Sequence, residues 1–286
     1  PVALVSSKGL DFKAMLDHGR TVGGPALRTL TFHQRAMKLK ELGSYLSERK
    51  DSYYALSAAT GASRIDSMID IDGGFGTLFS YASKGRRELP NSTFILDGAP
   101  EVMGKTGSFV GQHVMTPLQG VALHINAFNF PVWGMLEKLS VNLLAGVPAI
   151  VKPASQTAYL TELVFRDMVA SGIFPEGSFQ LICGKVGDLL EHLTGQDLVT
   201  FTGSAGTGQK LRSHPTIVRN SVRFTMEADS LNGSILGPDA VPGTPEFDLY
   251  IKEVVKEMTT KCGQKCTAIR RAFVPRAQIP AVLDAL

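Results

Sequence analysis

Three side chains in this sequence have the chemistry to act together on a carbonyl carbon. Cys266 lies in Cys262-Gly-Gln-Lys-Cys-Thr267, Glu227 in Phe224-Thr-Met-Glu-Ala-Asp-Ser230, and Asn129 in Asn126-Ala-Phe-Asn-Phe-Pro131. A thiol supplies a nucleophile, a carboxylate a general base, and a carboxamide N–H a donor to a developing oxyanion. Each has a plainer reading. A free cysteine packs as a small hydrophobe, a glutamate at a strand end is a solvated charge, and Asn-x-Pro marks a turn. The small polar flanks of Cys266 suit an accessible turn after a helix. Asp229 competes with Glu227 for the role of base. Cys262 lies one helical turn before Cys266 and suggests a metal site or a disulfide, but no nearby histidine supports metal, and no metal is expected. His113 and His124 read as loop or strand residues.

The elements around these residues alternate. Short apolar runs at Val121–Ile125, Pro148–Lys152, Phe179–Cys183, Leu198–Phe201 and Val222–Met226 read as buried strands. Helical patterns fall between them near Trp133–Ala145, Thr157–Ser171, Val186–Leu193 and Gly206–Arg212. Strands alternating with helices predict a parallel sheet covered on both faces. Ligands of such sheets bind beyond the strand C-termini. Glu227 follows the last strand directly. Phe201-Thr-Gly-Ser-Ala-Gly-Thr-Gly208 is a glycine-bearing turn opening a helix, where backbone N–H groups can hold phosphate. It is not Gly-x-Gly-x-x-Gly. Lys152 ends another strand, and a cofactor ribose or phosphate is the specific partner to consider for it. Before this region, residues 11–60 read as helices, and so does Ser63–Gly85, where Gly73, Gly74 and Gly76 suggest a close helix–helix or helix–substrate approach. Residues 86–105 read as loop and 106–117 as an extended arm. Beyond Glu227, residues 247–262 are expected to form one long helix, and Ala268–Val274 a strand in a different unit.

Composition limits the alternatives. The chain has 286 residues, a 44% hydrophobic content and a net charge of +3. That supports a large core, and no basic run interleaved with aromatics points to nucleic acid. No stretch approaches the ~18 apolar residues of a membrane span. Three cysteines do not build a disulfide framework and suit a reducing, cytoplasmic setting. Pro1 and Leu286 read as cuts, so the chain is expected to be a fragment, inactive when isolated.

Taken in order, Asn-Phe-Pro (129–131), Lys-Pro (152–153), Phe-Thr-Gly-Ser with Gly208, Glu227 and Gly-Gln-x-Cys (263–266) resemble the aldehyde dehydrogenase superfamily across the whole chain. The resemblance implies an α/β fold, a Rossmann-like parallel sheet with helices on both faces, truncated at both ends. It implies a dinucleotide-binding domain at 1–98 and 119–229, a bridging or oligomerisation arm at 99–118, and the start of a catalytic domain at 230–286. It assigns Cys266 as nucleophile, Glu227 as base and Asn129 as oxyanion donor, with the Cys266 backbone N–H as second donor. Lys152 would hold the adenosine ribose and Ser204 the pyrophosphate, with Gly203, Gly208, Ala127 and Phe128 also lining the cofactor. Phe128 stands where many relatives carry tryptophan. Ser155 stands where many NAD-preferring relatives carry a glutamate that grips the ribose hydroxyls. Serine can hydrogen-bond a 2′-phosphate that a carboxylate would repel, so NADP is expected over NAD.

His-Ile-Asn-Ala-Phe-Asn-Phe-Pro, Met-Glu-Ala-Asp-Ser-Leu-Asn and Met-Thr-Thr-Lys-Cys-Gly-Gln-Lys-Cys-Thr-Ala-Ile-Arg-Arg are similar to one branch of that family. It holds the dehydrogenase half of the bifunctional phenylacetate-degradation protein and the semialdehyde dehydrogenase of the aerobic benzoyl-CoA pathway. It implies oxidation of a CoA-linked semialdehyde to the acid, first that from phenylacetate ring cleavage and second that of the benzoate route. A homo-oligomer and a fused hydratase domain are implied for the full-length protein. A CoA-acylating dehydrogenase and a non-catalytic homologue are the competing readings. Glu227 argues against the first, and the retained nucleophile, base and amide against the second.

Overall fold

Residues 2–286 are described by a computed structural model. The chain divides into two compact units, one ending at Glu227 and the other running from Ala228 to Leu286.

The larger unit begins with helices. Asp11 caps α1 (Phe12–His18) by accepting from the Ala14 N–H, and a π turn leads into α2 (Gly24–Arg28). Thr31 opens α3 (Phe32–Ser47) with a capping box closed by Gln34, and its apolar stripe Phe32, Ala36, Leu39, Leu42 and Leu46 is buried. Helix α4 (Lys50–Ser57) ends in a short 3₁₀ turn at left-handed Gly61. Ser63 and Asp66 form a second capping box for α5 (Arg64–Glu88). Gly73 and Gly74 serve a helix–helix approach, since a Cβ on Gly73 would overlap the Trp133 indole, whereas Gly76, with nothing within 4 Å of its Cβ position, does not. Residues 95–102 differ from expectation, while the extended arm expected at 106–117 contains a strand. Ile95–Val102 is not loop but strand β1, paired antiparallel with β2 (Val110–Met115) around a register shift. The pairing supplies the backbone partners that its Asp, Gly and Pro content disguises.

A five-stranded sheet follows, built from β3 (Ala122–Ile125), β4 (Ala149–Lys152), β5 (Phe179–Leu181), β6 (Leu198–Gly203) and β7 (Arg223–Ala228) in the order β5-β4-β3-β6-β7. The pairings of β3 with β4 and β6, and of β4 with β5, are parallel. Helices α6 (Trp133–Ala145), α7 (Ala158–Ala170), α8 (Ala205–Arg212) and α9 (Pro215–Arg219) connect the strands. Alternate side chains enter two cores. Ala122, Ala149 and Val151 join one with α3, α5 and α6, while Leu123, Ile150 and Val199 join the other with α1. Both faces are therefore covered, which is why these strands read as largely apolar runs. Only a 3₁₀ turn, Leu189–His192, forms where a helix was expected, because Gly184 and Gly187 take positive φ just before it.

The smaller unit pairs β8 (Gly233–Ile235) with β9 (Arg271–Phe273) in parallel. Helix α10 (Pro245–Thr259), capped by Thr244, and α11 (Ile279–Ala285) enclose a core of Leu236, Phe247, Tyr250, Val254 and Val282. The expected helix to residue 262 stops at Thr259, since Lys261 and Cys262 turn left-handed. The strand expected at 268–274 is shorter, because Ala268 N–H closes a turn on the Lys265 carbonyl.

One buried group links this fold to pH. His124, wholly buried on β3, is held down to about 3, chiefly by desolvation and then by the Lys138 charge. A depressed histidine stays neutral in the folded chain, while the unfolded chain takes up a proton below about pH 6.5. Stability is therefore lost as pH falls from about 6.5 towards 3, at up to ~1.4 kcal/mol per unit. Denaturant unfolding at pH 6.5 and 5 should show the wild type losing about 1.5 kcal/mol more than His124→Gln. Equal losses would refute this account.

Candidate active site

Strand order reverses beside β3: the chain moves out to β4 and β5, then returns to lay β6 on the other side. Two divergent connections leave a crevice at the strand C-termini, the usual ligand position in open α/β sheets. The loop after β3 carries Ala127, Phe128 and Asn129, and β6 ends at Gly203, with Ser204 following directly. The topology thus brings these five residues to one edge of the sheet. Lys152 ends β4 at the same edge, and Ser155 follows it in the loop before α7.

The Asn129 loop is pinned from several sides. Its first residue, Asn126, donates its backbone N–H to the Lys152 carbonyl at 3.0 Å. Thr157 Oγ1 donates to the Phe128 carbonyl at 2.9 Å, and Thr161 Oγ1 to the Pro131 carbonyl at 3.0 Å. At the far end, the buried Asp70 carboxylate accepts from the Val132 and Trp133 N–H groups, the latter at 2.9 Å. Those N–H groups open α6, so the carboxylate also meets the positive end of the helix. Phe128 is exposed and Asn129 half-buried.

The Gly203 turn starts α8 with Ser204 at the N-cap, and Ser204 Oγ donates to Thr207 Oγ1 at 3.0 Å. Gly208 lets the helix lie flat on the sheet, as a Cβ there would overlap Met226 and crowd Phe201. No heavy atom outside the helix's own backbone approaches the Cβ position of Gly206 within 4 Å, so an anion can approach the exposed first turn. The half-buried Lys152 ammonium has its pKa lowered by desolvation, an effect the nearby Cys183 thiol opposes. Glu227, exposed near the end of β7, accepts a long hydrogen bond from Thr202 Oγ1 at 3.4 Å.

Cys266 belongs to the smaller unit. Its exposed segment follows three consecutive left-handed residues, Lys261 (φ 49°), Cys262 (φ 54°) and Gly263 (φ 70°). For the two side-chain-bearing residues this conformation costs about 1–2 kcal/mol each. The segment is clamped nonetheless. Asn232 Nδ2 donates to the carbonyls of Cys266 and Ala268, and Arg270 Nη2 to that of Lys265 at 2.9 Å. Lys265 and Glu257 form a largely buried ion pair at 2.7 Å. Asp229, the competing acid, sits at φ 55° in the same unit.

Several supporting residues had escaped sequence reasoning. Asn232 lies within the quoted Met-Glu-Ala-Asp-Ser-Leu-Asn motif, so a signal existed. Asp70, Thr157 and Thr161 carry none, because each acts on backbone distant in sequence. Among the described residues, no three His, Cys, Asp or Glu side chains gather as a metal-binding group, and no helix is long and apolar enough to cross a membrane.

Residues 7–286 match the model of the aldehyde dehydrogenase family. A 3,4-dehydroadipyl-CoA semialdehyde dehydrogenase of Aromatoleum evansii is 48% identical over 99% of this chain and 55% of its own length. A D-glyceraldehyde dehydrogenase (NADP(+)) of Picrophilus torridus is 29% identical over 54% of this chain and 30% of its own. The structure of betaine aldehyde dehydrogenase from Staphylococcus aureus in complex with NAD+ superposes with a TM-score of 0.82 at 21% identity, over 96% of this chain and 52% of that one. The chain thus spans about half the length of such proteins. With the motif order, the sheet topology and a family match over nearly all its residues, this chain belongs to the aldehyde dehydrogenase family.

Proposed function

We propose that the protein containing this chain oxidises a CoA-linked semialdehyde to the carboxylic acid with a nicotinamide dinucleotide, NADP before NAD. The observation that carries the reading is the 48% identity, over 99% of the chain, to a 3,4-dehydroadipyl-CoA semialdehyde dehydrogenase. That semialdehyde is the substrate to test first, beside its counterpart from phenylacetate cleavage. The free thiols suit a cytoplasmic setting. The β1–β2 hairpin, with exposed Leu96, Val102, Val110 and Val114, suits an arm in a homo-oligomer.

In this reading the Cys266 thiolate adds to the aldehyde carbon, and the oxygen takes the negative charge. The Asn129 carboxamide and the Cys266 backbone N–H hold that charge, each donor worth about 3 kcal/mol in a comparable oxyanion hole. A bound dinucleotide would supply the hydride acceptor for oxidation of the thiohemiacetal to a thioester on Cys266. Glu227 then takes a proton from water, whose oxygen attacks the thioester carbon; the acid leaves and the thiol is restored. The residues present fit such a cofactor. Gly203, Ser204 and the open first turn of α8 suit its pyrophosphate, Lys152 and Ser155 its adenosine ribose, and Ala127, Phe128 and Gly208 shape the surroundings. Glu227 also favours hydrolysis over transfer to CoA, which needs no water-activating base.

Tests require the full-length protein. Cys266→Ala should abolish reduced-cofactor formation; turnover at the wild-type rate would exclude the thiol as nucleophile. Glu227→Gln should keep a single-turnover burst of reduced cofactor while steady-state kcat falls roughly 100-fold or more, as expected for loss of a general base. Loss of the burst instead would place Glu227 in the first half-reaction. For the cofactor, kcat/KM should favour NADP, and Ser155→Glu should move the ratio toward NAD by about tenfold, or 1.4 kcal/mol. A wild-type preference for NAD would refute the Ser155 assignment.

A further inference from the structure

The sheet face beneath the Asn129 loop contains a polar group that the proposed reaction does not use. Among the described residues, His124 Nδ1, Thr200 Oγ1 and both amide atoms of Asn126 are buried without a hydrogen-bond partner. His124 is 0% exposed and Asn126 6%. His124 and Thr200 are register partners on β3 and β6, and Asn126 lies two residues beyond His124, so all three share one face. Their neighbours there, Ala122 and Val151, belong to the apolar core that includes Leu139 and Leu143 of α6, which offer no hydrogen bonds.

The ring's protonation follows from its other nitrogen. Asn142 Nδ2 lies 2.5 Å from His124 Nε2. An amide N–H donates there, so Nε2 accepts and Nδ1 carries the proton. The face therefore holds a ring N–H donor, a hydroxyl that can donate or accept, and a carboxamide that does both. They make no hydrogen bond to one another, yet adjacent strands are only about 4.8 Å apart. One water, with two hydrogen bonds of about 2.8 Å, spans such a separation. Buried water typically takes about three bonds from otherwise unsatisfied groups, which is the inventory available here.

We infer that this face holds an internal water site, one or two molecules bound by His124 Nδ1–H, Thr200 Oγ1 and the Asn126 carboxamide, and that the site fixes the end of β3 from which the Asn129 loop departs. Asn126 is then a positioning residue. Its backbone is tied to Lys152 and its side chain to bound water, so the strand delivers the loop with little freedom. The positioning role rests on the proposed function of Asn129; the water site does not.

A high-resolution crystal structure of the full-length protein tests the site. Water should lie within 2.7–3.2 Å of at least two of the three groups. A dry face, or direct bonds among the three side chains, overturns the inference even if Cys266→Ala proves the enzymatic reading right. For the positioning role, Asn126→Leu should displace the water and lower kcat about tenfold while KM for the aldehyde stays within about twofold. Asn126→Ser, which leaves a polar atom and room for a further water, should restore most of the rate. Should Asn126→Leu fail to fold, Thr200→Val removes one water partner at constant shape and should lower kcat several-fold. If the variant that folds loses the water and keeps its kcat, the positioning role is refuted.

Discussion

The Asp70 carboxylate, buried against the first turn of α6, is the contact on which the loop geometry most depends. It satisfies N–H groups that no intrahelical carbonyl can reach, and it does so from α5, a helix some sixty residues earlier. Removing it would leave buried donors unmet at the point where the chain leaves Pro131 and turns into α6. The loop holding Asn129 is thus fixed at its exit by a charge-assisted cap and at its entry by a strand hydrogen bond to β4. Thr157 and Thr161, both contributed by the α7 region, secure its middle. Four residues from three elements, α5, β4 and α7, define one short loop, and none of them needs a substrate or cofactor to do so.

The sheet explains why that loop and the Gly203 turn share an edge. Parallel strands with helical returns must place their C-terminal connections on one side, and the reversal beside β3 leaves room there. Gly208 then allows α8 to rest against β6 and β7, so the N-terminus of that helix lies at the same edge. The chemistry proposed for this chain is in that sense a consequence of topology: a fold with this strand order provides the crevice, and the residue types decide what enters it.

Much of this was readable from the residues. Strands β3, β4 and β6 announced themselves as apolar runs because both of their faces are buried. Helices α3 and α5 carried their capping signals in local sequence, Thr31 with Gln34 and Ser63 with Asp66. Strand β1 was illegible because its stability comes from pairing with β2, and its Asp, Gly and Pro residues resemble a loop. The early end of α10 was hidden too, since Lys261 and Cys262 are not residues that ordinarily turn left-handed. For the candidate site, local motifs supplied Cys266, Glu227 and Asn129 as the residues to consider. The groups that hold the surrounding backbone were not, because Asp70 or Thr161 reaches its partner only once helices have packed.

The left-handed turn at residues 261–263 has a bearing on engineering. Only its third position is glycine, so two ordinary residues bear a conformation that asparagine or glycine tolerates far better. Position 262 in particular is a thiol whose replacement by asparagine would both ease the backbone and remove a sulfur open to oxidation. A heat-hardened or storage-stable version of the protein could begin at that single codon, which leaves Cys266, the group proposed to react, unaltered.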